Sequence, residues 1–515
     1  VEVHSPATAT REAAVAARRQ ISQYDVAFLA RHGHTEAAVT HAAARLGLLS
    51  HVLASPGISV AVLAERADVT RQAARVLTQV LRVGGALVTD AAGGLHARID
   101  QASLAALDDA AAEAARQWAP LDGAVAALRG DATGQRARIE AAFGSLGADA
   151  ASPPERGSGP DWLLDRAAYG HIRARVLSTA AELGFLTALA DGPCNLQEIA
   201  GATDLDRSAA QTVTNALCQL GIVQPHGTSF RLTDSLGELL GDSRSARTFA
   251  LAADLAHRFW PAFGRLAENA RTGVLVLDLQ DAEIAARFYL RLAQYNSRVF
   301  PGYFAMARNV ARGVRELLPG PSPAVLDIGA GSGVWGAAFG HTWPDSRVGF
   351  FDRSRVLAQA RANVTRLGLT ERCWFRAADL SRDSFGDGVA DVLILGQVIH
   401  TQPADSLPAL LQRCRQALKP GGILVIADTV LDPSGITPVD HVYFAVKEMV
   451  STGGLVLNEQ ECRQLLRSAG FGFARCYRGP GLDVLLSSAT DLAFADDLAD
   501  SLPRMPMAAG RASIQ

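Results

Sequence analysis

Lysine is nearly absent from this chain of 515 residues: only Lys419 and Lys447 occur, and arginine carries the rest of the positive charge. With a net charge of −3 there is no basic surplus of the kind that holds a protein on nucleic acid, so no such partner is expected. Cysteine is scarce too. The residues at 194, 218, 373, 414, 462 and 476 contain no Cys-x-x-Cys pair, which argues against a metal site or a disulfide frame and for a reducing compartment. No apolar run reaches the roughly 20 residues that span a bilayer. The opening Val-Glu-Val-His-Ser-Pro lacks the charged-then-apolar pattern of an export signal. A cytoplasmic protein without a membrane partner is the expectation. What remains, 49% hydrophobic and 20% charged residues, is ordinary globular composition, and the length calls for more than one core.

The first half of the chain repeats itself. Leu-Gly-Leu-Leu at 46–49 returns as Leu-Gly-Phe-Leu at 183–186, and Thr78, Leu81 and Gly85 return as Thr214, Leu217 and Gly221. Trp118 and Arg129 have counterparts in Trp260 and Arg271. The offset is 136 to 137 residues and widens to 142, which reads as a duplicated domain. In each copy a helix ending in Leu-Gly precedes a short helix (60–67, 196–202), a polar cap at Thr70 or Asp206, and a third helix with apolar residues three and four apart. A short hairpin follows, at 86–98 or 222–233. That order predicts a mainly α winged helix-turn-helix, present twice. DNA binding would need basic residues clustered on the third helix. The second copy has Arg207 followed by an almost uncharged stretch, and the first has a scattered Arg71, Arg75 and Arg82, so a packing or dimerisation module is expected instead.

Domains are accordingly expected at 1–150 (the extra copy), 161–245 (the second copy), 246–318 (a helical bridge) and 319–490, with a tail at 491–515. Residues 145–160, rich in Gly, Ser and Pro, read as a linker. From 324 onward strand and helix alternate, with strands at 324–328, 347–352, 373–377, 391–398 and 422–428. This predicts a Rossmann-like α/β domain with a parallel sheet covered on both faces and a ligand beyond the strand ends.

The first of those strands runs into Asp327-Ile-Gly329-Ala-Gly331-Ser-Gly333. Gly331-Ser-Gly333-Val-Trp-Gly336 also spells G-x-G-x-x-G, which suits a dinucleotide pyrophosphate. Asp327 points the other way, because a carboxylate repels pyrophosphate and attracts an ammonium or sulfonium. Asp352 and Asp379, at the ends of the next two strands, can accept from ribose hydroxyls and an adenine amino group. Three carboxylates at three successive strand ends suit S-adenosylmethionine. Arg353, Leu380 and Gln397 complete the expected cofactor set.

Val325-Leu-Asp-Ile-Gly-Ala-Gly-Ser-Gly, Phe350-Phe-Asp352, Asp391-Val-Leu-Ile-Leu and Ala417-Leu-Lys-Pro-Gly-Gly-Ile-Leu-Val-Ile-Ala-Asp428 resemble a class I S-adenosylmethionine-dependent methyltransferase. With the winged-helix domain, Trp260…Arg271-Thr-Gly273 and Ser468-Ala-Gly-Phe471, the chain is similar to the small-molecule O-methyltransferases of plant phenolics and bacterial secondary metabolites, over about 165–490. The resemblance implies that His400 deprotonates the acceptor hydroxyl and that Asp428 orients it. It also implies an acceptor pocket lined by aromatic residues, here Phe288, Tyr289, Tyr295, Phe300, Tyr303, Phe304, Tyr443 and Phe444, together with Met449. Two departures are visible. Thr401-Gln402 stand where the family has Asp-Trp, and the apolar stretch at 453–456 replaces an expected second acid. A binding role for His400, methylation at carbon or nitrogen, and a non-methylating reaction on the same fold all stay open, as does a ligand-sensing winged-helix regulator. His441 is a weaker second candidate. Single-domain relatives pair through the winged-helix region, so the resemblance implies a homodimer. The extra copy could instead stand in for the partner within one chain.

Overall fold

The computed structural model describes residues 23–130, 134–146, 154–240, 243–279, 281–318, 320–479 and 482–489. The expectations for 1–22, for 147–153 and for the tail at 491–515 lie outside the described residues. The chain divides into two compact units, one ending at Leu277 and the other beginning at Asp278.

The first unit holds both copies of the repeated segment. The first copy runs α1 (Gln23–Arg45), α2 (Leu48–Ala54), α3 (Val60–Arg66) and α4 (Arg71–Val83), then the antiparallel hairpin β1 (Leu87–Thr89) and β2 (Leu95–Ala97). It closes with α5 (Gln101–Asp122) and α6 (Arg136–Gly144). The second copy repeats the plan with α7 (His171–Leu183), α8 (Phe185–Ala190), β3 (Cys194–Asn195), α9 (Leu196–Thr203) and α10 (Arg207–Gln219). The wing β4 (Val223–His226) and β5 (Ser229–Leu232) follows, in a sheet of order β3-β5-β4, and then α11 (Ser243–His257) and α12 (Leu266–Thr272). The caps sit where the sequence places them. Thr70 Oγ1 accepts from the Ala73 amide at 3.1 Å and Asp206 Oδ1 from the Ala209 amide at 2.9 Å, each satisfying a first-turn donor that the helix cannot.

Two boundary expectations need correction. The described part of the 145–160 segment is docked on the first copy: Gly159 N donates to Gly84 O at 3.0 Å, and Arg156 pairs with the buried Glu36 at 3.2 Å. Its Gly, Ser and Pro content marks irregular backbone, which is compatible with close contact. The expected bridge at 246–318 is not one body either. Helices α11 and α12 belong to the first unit, and α13 (Ala282–Arg315) belongs to the second.

The second unit is built on a seven-stranded sheet of order β11-β12-β10-β9-β6-β7-β8. Its strands are β6 (Ala324–Ile328), β7 (Arg347–Asp352), β8 (Cys373–Ala377), β9 (Ala390–Gly396), β10 (Leu418–Asp428), β11 (Phe473–Tyr477) and β12 (Asp483–Ser488). Strands β6 to β10 pair in parallel, whereas β12 runs antiparallel to both β10 and β11. The sheet is therefore mixed, and the final pair was not foreseen. Successive residues of a strand face opposite layers. Val325, Val348, Val392 and Val425 pack under α13, α14 (Val334–Thr342) and α15 (Ser354–Arg366). Leu326, Leu393 and Leu424 pack under α16 (Leu407–Ala417) and, past α17 (Val439–Ser451), under α18 (Glu459–Ser468). Trp343 Nε1 donates to Ala311 O at 3.1 Å and pins α13 to the sheet layer. The chain winds outward from β6 through β7 to β8 and, on the other side, from β9 to β10. The order thus reverses between β6 and β9, and in such sheets a ligand binds beyond the carboxyl ends of the strands at that point. Among the described residues no single helix is long and apolar enough to cross a membrane.

Candidate active site

The loop leaving β6 is folded onto the end of β7: the amides of Gly329 and Ala330 both donate to Phe351 O, at 2.8 and 3.1 Å. Gly331 has a φ of 54°, a region that favours glycine, and a Cβ built there would meet nothing closer than Gly329 O at 4.0 Å. Gly329 and Gly333 face protein instead. A Cβ at 329 would sit 2.6 Å from Val398 Cγ2 and 3.2 Å from Leu380 Cδ2, and one at 333 would sit 3.0 Å from Ala360 Cβ. The open face of the loop is at Gly331, and the flanking glycines let it pack.

The carboxylates sit around that face. Asp352 Oδ2 accepts from the Gly331 amide at 2.8 Å and Oδ1 from the Arg353 amide at 2.7 Å, yet burial raises its carboxyl above the ordinary value. Asp379 accepts from Ser381 N and Oγ at 2.9 and 2.6 Å and pairs with Arg382 at 3.3 Å. Those bonds hold its carboxyl below the usual range. Asp327 differs from its sequence reading as a carboxylate that faces the ligand. It is 1% exposed, and Oδ2 accepts from the Gly336 amide at 2.8 Å, in the first turn of α14. Burial first, and the Asp352 charge in addition, push it up to about 7. Gln397, just past β9, is an exposed non-glycine residue at φ 59°, held by its amide to Ala427 O at 2.8 Å. Backbone kept in this sparsely populated region gathers at ligand sites. Trp335 Nε1 is buried without a partner, its ring against Gly396. An open glycine cradle, the carboxylates of Asp352 and Asp379 on neighbouring strand ends and an orphan donor fit an adenosine-bearing cation, with Asp327 buried behind them.

His400 lies in the single turn Ile399–Thr401 beyond β9, and its ring nitrogen Nδ1 is 2.5 Å from Asp428 Oδ1 at the end of β10. Asp428 Oδ2 accepts from the amides of Ile399 and His400 at 2.9 and 3.3 Å, so one carboxylate fixes both the turn and the ring. Both residues are buried, at 6% and 2% exposure. Burial works against a charged His400, but the Asp428 charge and hydrogen bond, with Glu448 adding, outweigh it and carry its pKa up to about 9. Thr401 and Gln402, the departures from Asp-Trp, close the turn through Thr401 Oγ1 to Val398 O and Gln402 Nε2 to Thr401 Oγ1, both at 2.8 Å. A narrow apolar cavity adjoins the pair, lined by Ile399, Leu407, Ile426, Leu457, Cys462 and Leu466 among others.

Sequence reasoning missed Glu448. The stretch at 453–456 carries no acid, but α17 supplies one: Glu448 is buried and interacts electrostatically with His400. Burial raises its carboxyl, and Thr452 Oγ1 donates to Oε2 at 2.9 Å while accepting from the Gly454 amide at 3.0 Å. The signal was the four-residue spacing of Phe444 and Glu448 on one helix face. The Phe444 ring meets the His400 ring edge-on at 4.9 Å. A Cβ on Gly454 would lie 1.9 Å from His400 O, so this stretch presses on the histidine through backbone alone.

Among the described pocket residues, Phe444 is brought against His400. Met449 and Tyr443 are buried on the same helix. Phe300 and Phe304 stack on each other at 5.6 Å and, with Tyr303, pack into the layer of α13 and α14, so they serve the core. A stripe at three-to-four spacing on a helix has that use first. The side chains of Tyr289 and Tyr295 lie outside the described residues, and Phe288 is half-buried. His441 is a packed histidine, with Nδ1 2.9 Å from Val430 O.

Residues 317–472 match the family model of the O-methyltransferase domain. Acetylserotonin O-methyltransferase of Mus musculus is 25% identical over 342 residues, which covers 62% of this chain and 85% of that protein. Mitomycin biosynthesis 6-O-methyltransferase of Streptomyces lavendulae is 26% identical over 328 residues, covering 60% of this chain and 90% of the other. The crystal structure of human N-acetylserotonin methyltransferase in complex with SAM shares the fold, with a TM-score of 0.51 at 20% identity over 64% of this chain and 97% of that one.

Proposed function

We propose that this chain, an S-adenosylmethionine-dependent O-methyltransferase by the domain at 317–472, methylates a phenolic hydroxyl of a small aromatic secondary-metabolite intermediate, with His400 as the general base. The observation that carries the reading is the 2.5 Å contact of His400 Nδ1 with Asp428 Oδ1 at the carboxyl ends of β9 and β10.

When bound, S-adenosylmethionine supplies a methyl group on a positively charged sulfur. The Gly331 loop, Asp352, Asp379 and Gln397 would hold it, with Asp327, Arg353 and Leu380 supporting them. Asp428 holds the Nδ1 proton of His400 and so leaves Nε2 to accept the acceptor's proton. As that proton arrives, the Asp428 carboxylate stabilises the imidazolium. A base whose pKa is pushed up to about 9 suits a phenol, whose pKa is about 10, far better than an aliphatic alcohol. Phe444 edges the ring, and the enclosed setting keeps water from competing for Nε2. The names of the relatives, which speak of acetylserotonin and mitomycin, support a small metabolite as acceptor.

Transfer of a labelled methyl group to a panel of phenols and matched aliphatic alcohols tests the reading. Phenols are expected to be labelled on oxygen, with the rate lost in His400→Ala. Label on carbon or nitrogen, or an unimpaired variant, overturns it.

A further inference from the structure

We propose that the first unit is a two-fold dimer made within one chain, and that the protein therefore works as a monomer. An isologous interface has one recognisable mark: if a residue i touches j, then the equivalent of j touches the equivalent of i. Here that mark appears between the two copies of a single chain.

The helices α1 and α7 carry the same pattern, Gly-His-x-x-Ala, at 33–37 and 170–174. They cross at those residues. A Cβ built on Gly33 would lie 3.1 Å from Ala174 Cβ, and one on Gly170 would lie 3.3 Å from Ala37 Cβ. The next positions reciprocate as well. His34 of the first copy meets Trp260 of the second with ring centroids 5.2 Å apart, and His171 of the second meets Trp118 of the first at 6.1 Å. At the centre the two tryptophans stack on each other, centroids 4.1 Å apart and planes within 17°. Trp118 Nε1 donates to Trp260 O at 2.9 Å, and Trp260 Nε1 donates to Trp118 O at 3.0 Å. Farther out, the caps of the third helices are each held by the opposite copy. The Thr70 amide donates to Ala270 O at 2.8 Å, and Arg136 Nη2 donates to Asp206 Oδ1 at 2.9 Å.

A single copy would present this surface, with its tryptophan, histidine and small-residue helix crossing, to a second chain. In this chain the surface is already covered: Trp118, Trp260, His34 and His171 are all 6% exposed or less. The histidines are suited to staying there. Burial, which disfavours the charged ring, lowers His41 to about 4 and His171 well below its usual value, so these two rings stay uncharged near neutrality. With its pairing surface used internally, the chain has no copy of that surface left for a partner.

Light scattering on the intact protein over a wide concentration range is expected to give one chain's mass, 54.2 kDa. Twice that mass, persisting on dilution, overturns the proposal. A second measurement separates a monomer from two chains that exchange copies. Ala37→Cys with Gly170→Cys places two thiols on Cβ positions 3.3 Å apart, close to the spacing of a disulfide, roughly 3.5–4.5 Å. Oxidation is expected to give a covalent bond within one chain, seen as a faster single-chain band without reductant. A two-chain band overturns it. Methyl transfer per chain should also stay constant on dilution.

Discussion

Asp428 holds His400 three ways, through the ring nitrogen at 2.5 Å and through the amides of Ile399 and His400 at 2.9 and 3.3 Å. A carboxylate so used sets position, tautomer and basicity together. Each of these can be altered separately.

His400→Ala removes the base. The methylation rate is expected to fall roughly 10²–10⁴-fold while cofactor affinity, read by calorimetry, stays unchanged. Asp428→Asn keeps the shape of the site but loses the charge. Its rate should fall by about 10² or more, and the loss should shrink for acidic phenols that need little help to ionise. Equal losses across a phenol series would argue that the pair only positions the acceptor.

The pH dependence follows from the raised His400 value. The imidazole works as a base only when neutral, so kcat/KM should climb with pH and level off near pH 9. Both carboxylates raise that value, so Glu448→Gln should move the limb to lower pH, and Asp428→Asn should move it farther. The same shift bears on stability. A histidine raised from 6.5 to about 9 stabilises the fold fully below 6.5 and loses that contribution as pH rises through 9. The melting advantage of wild type over His400→Ala should therefore narrow across that window.

Asp327 has the same sign at lower pH, with burial rather than a charged partner as its cause. Its carboxyl is raised from 3.8 to about 7, so it favours the folded state most below 3.8 and loses that effect as pH rises to 7. Asp327→Asn can still accept from Gly336 N, so above pH 7 it should melt higher than wild type in thermal scans without ligand. Its affinity for S-adenosylmethionine should drop. A variant that binds as tightly as wild type would remove Asp327 from the cofactor site.

Gly454→Ala tests the backbone approach to the histidine. With a Cβ 1.9 Å from His400 O, the turn must shift, and a cost of about 1–3 kcal/mol in stability is expected by denaturant titration. A larger fall in kcat than in cofactor affinity should accompany it.

Much of this was legible from residues alone. The strands β6 to β8, the glycine loop and the strand-end carboxylates follow from apolar runs that stop at Gly or Asp. The pairing of His400 with Asp428 was implied by the family resemblance, and the two side chains meet at 2.5 Å. Glu448 was missed because its one sign, the four-residue spacing from Phe444, says which face it shares but not what lies across from it. The β11–β12 pair escaped because it follows the last helix as two antiparallel strands, outside the strand–helix alternation that located β6 to β10. Spacing alone could not assign the aromatics of α13, because it satisfies core packing and pocket lining equally well.

The tryptophan pair has one more consequence. In an assembly of identical chains, every substitution at the two-fold axis happens twice and meets itself. Here Trp118 and Trp260 are separate codons, so each side of the seam can mutate alone and be compensated by the other. Fusion has released the two halves from symmetry, and their sequences are free to drift toward different tasks.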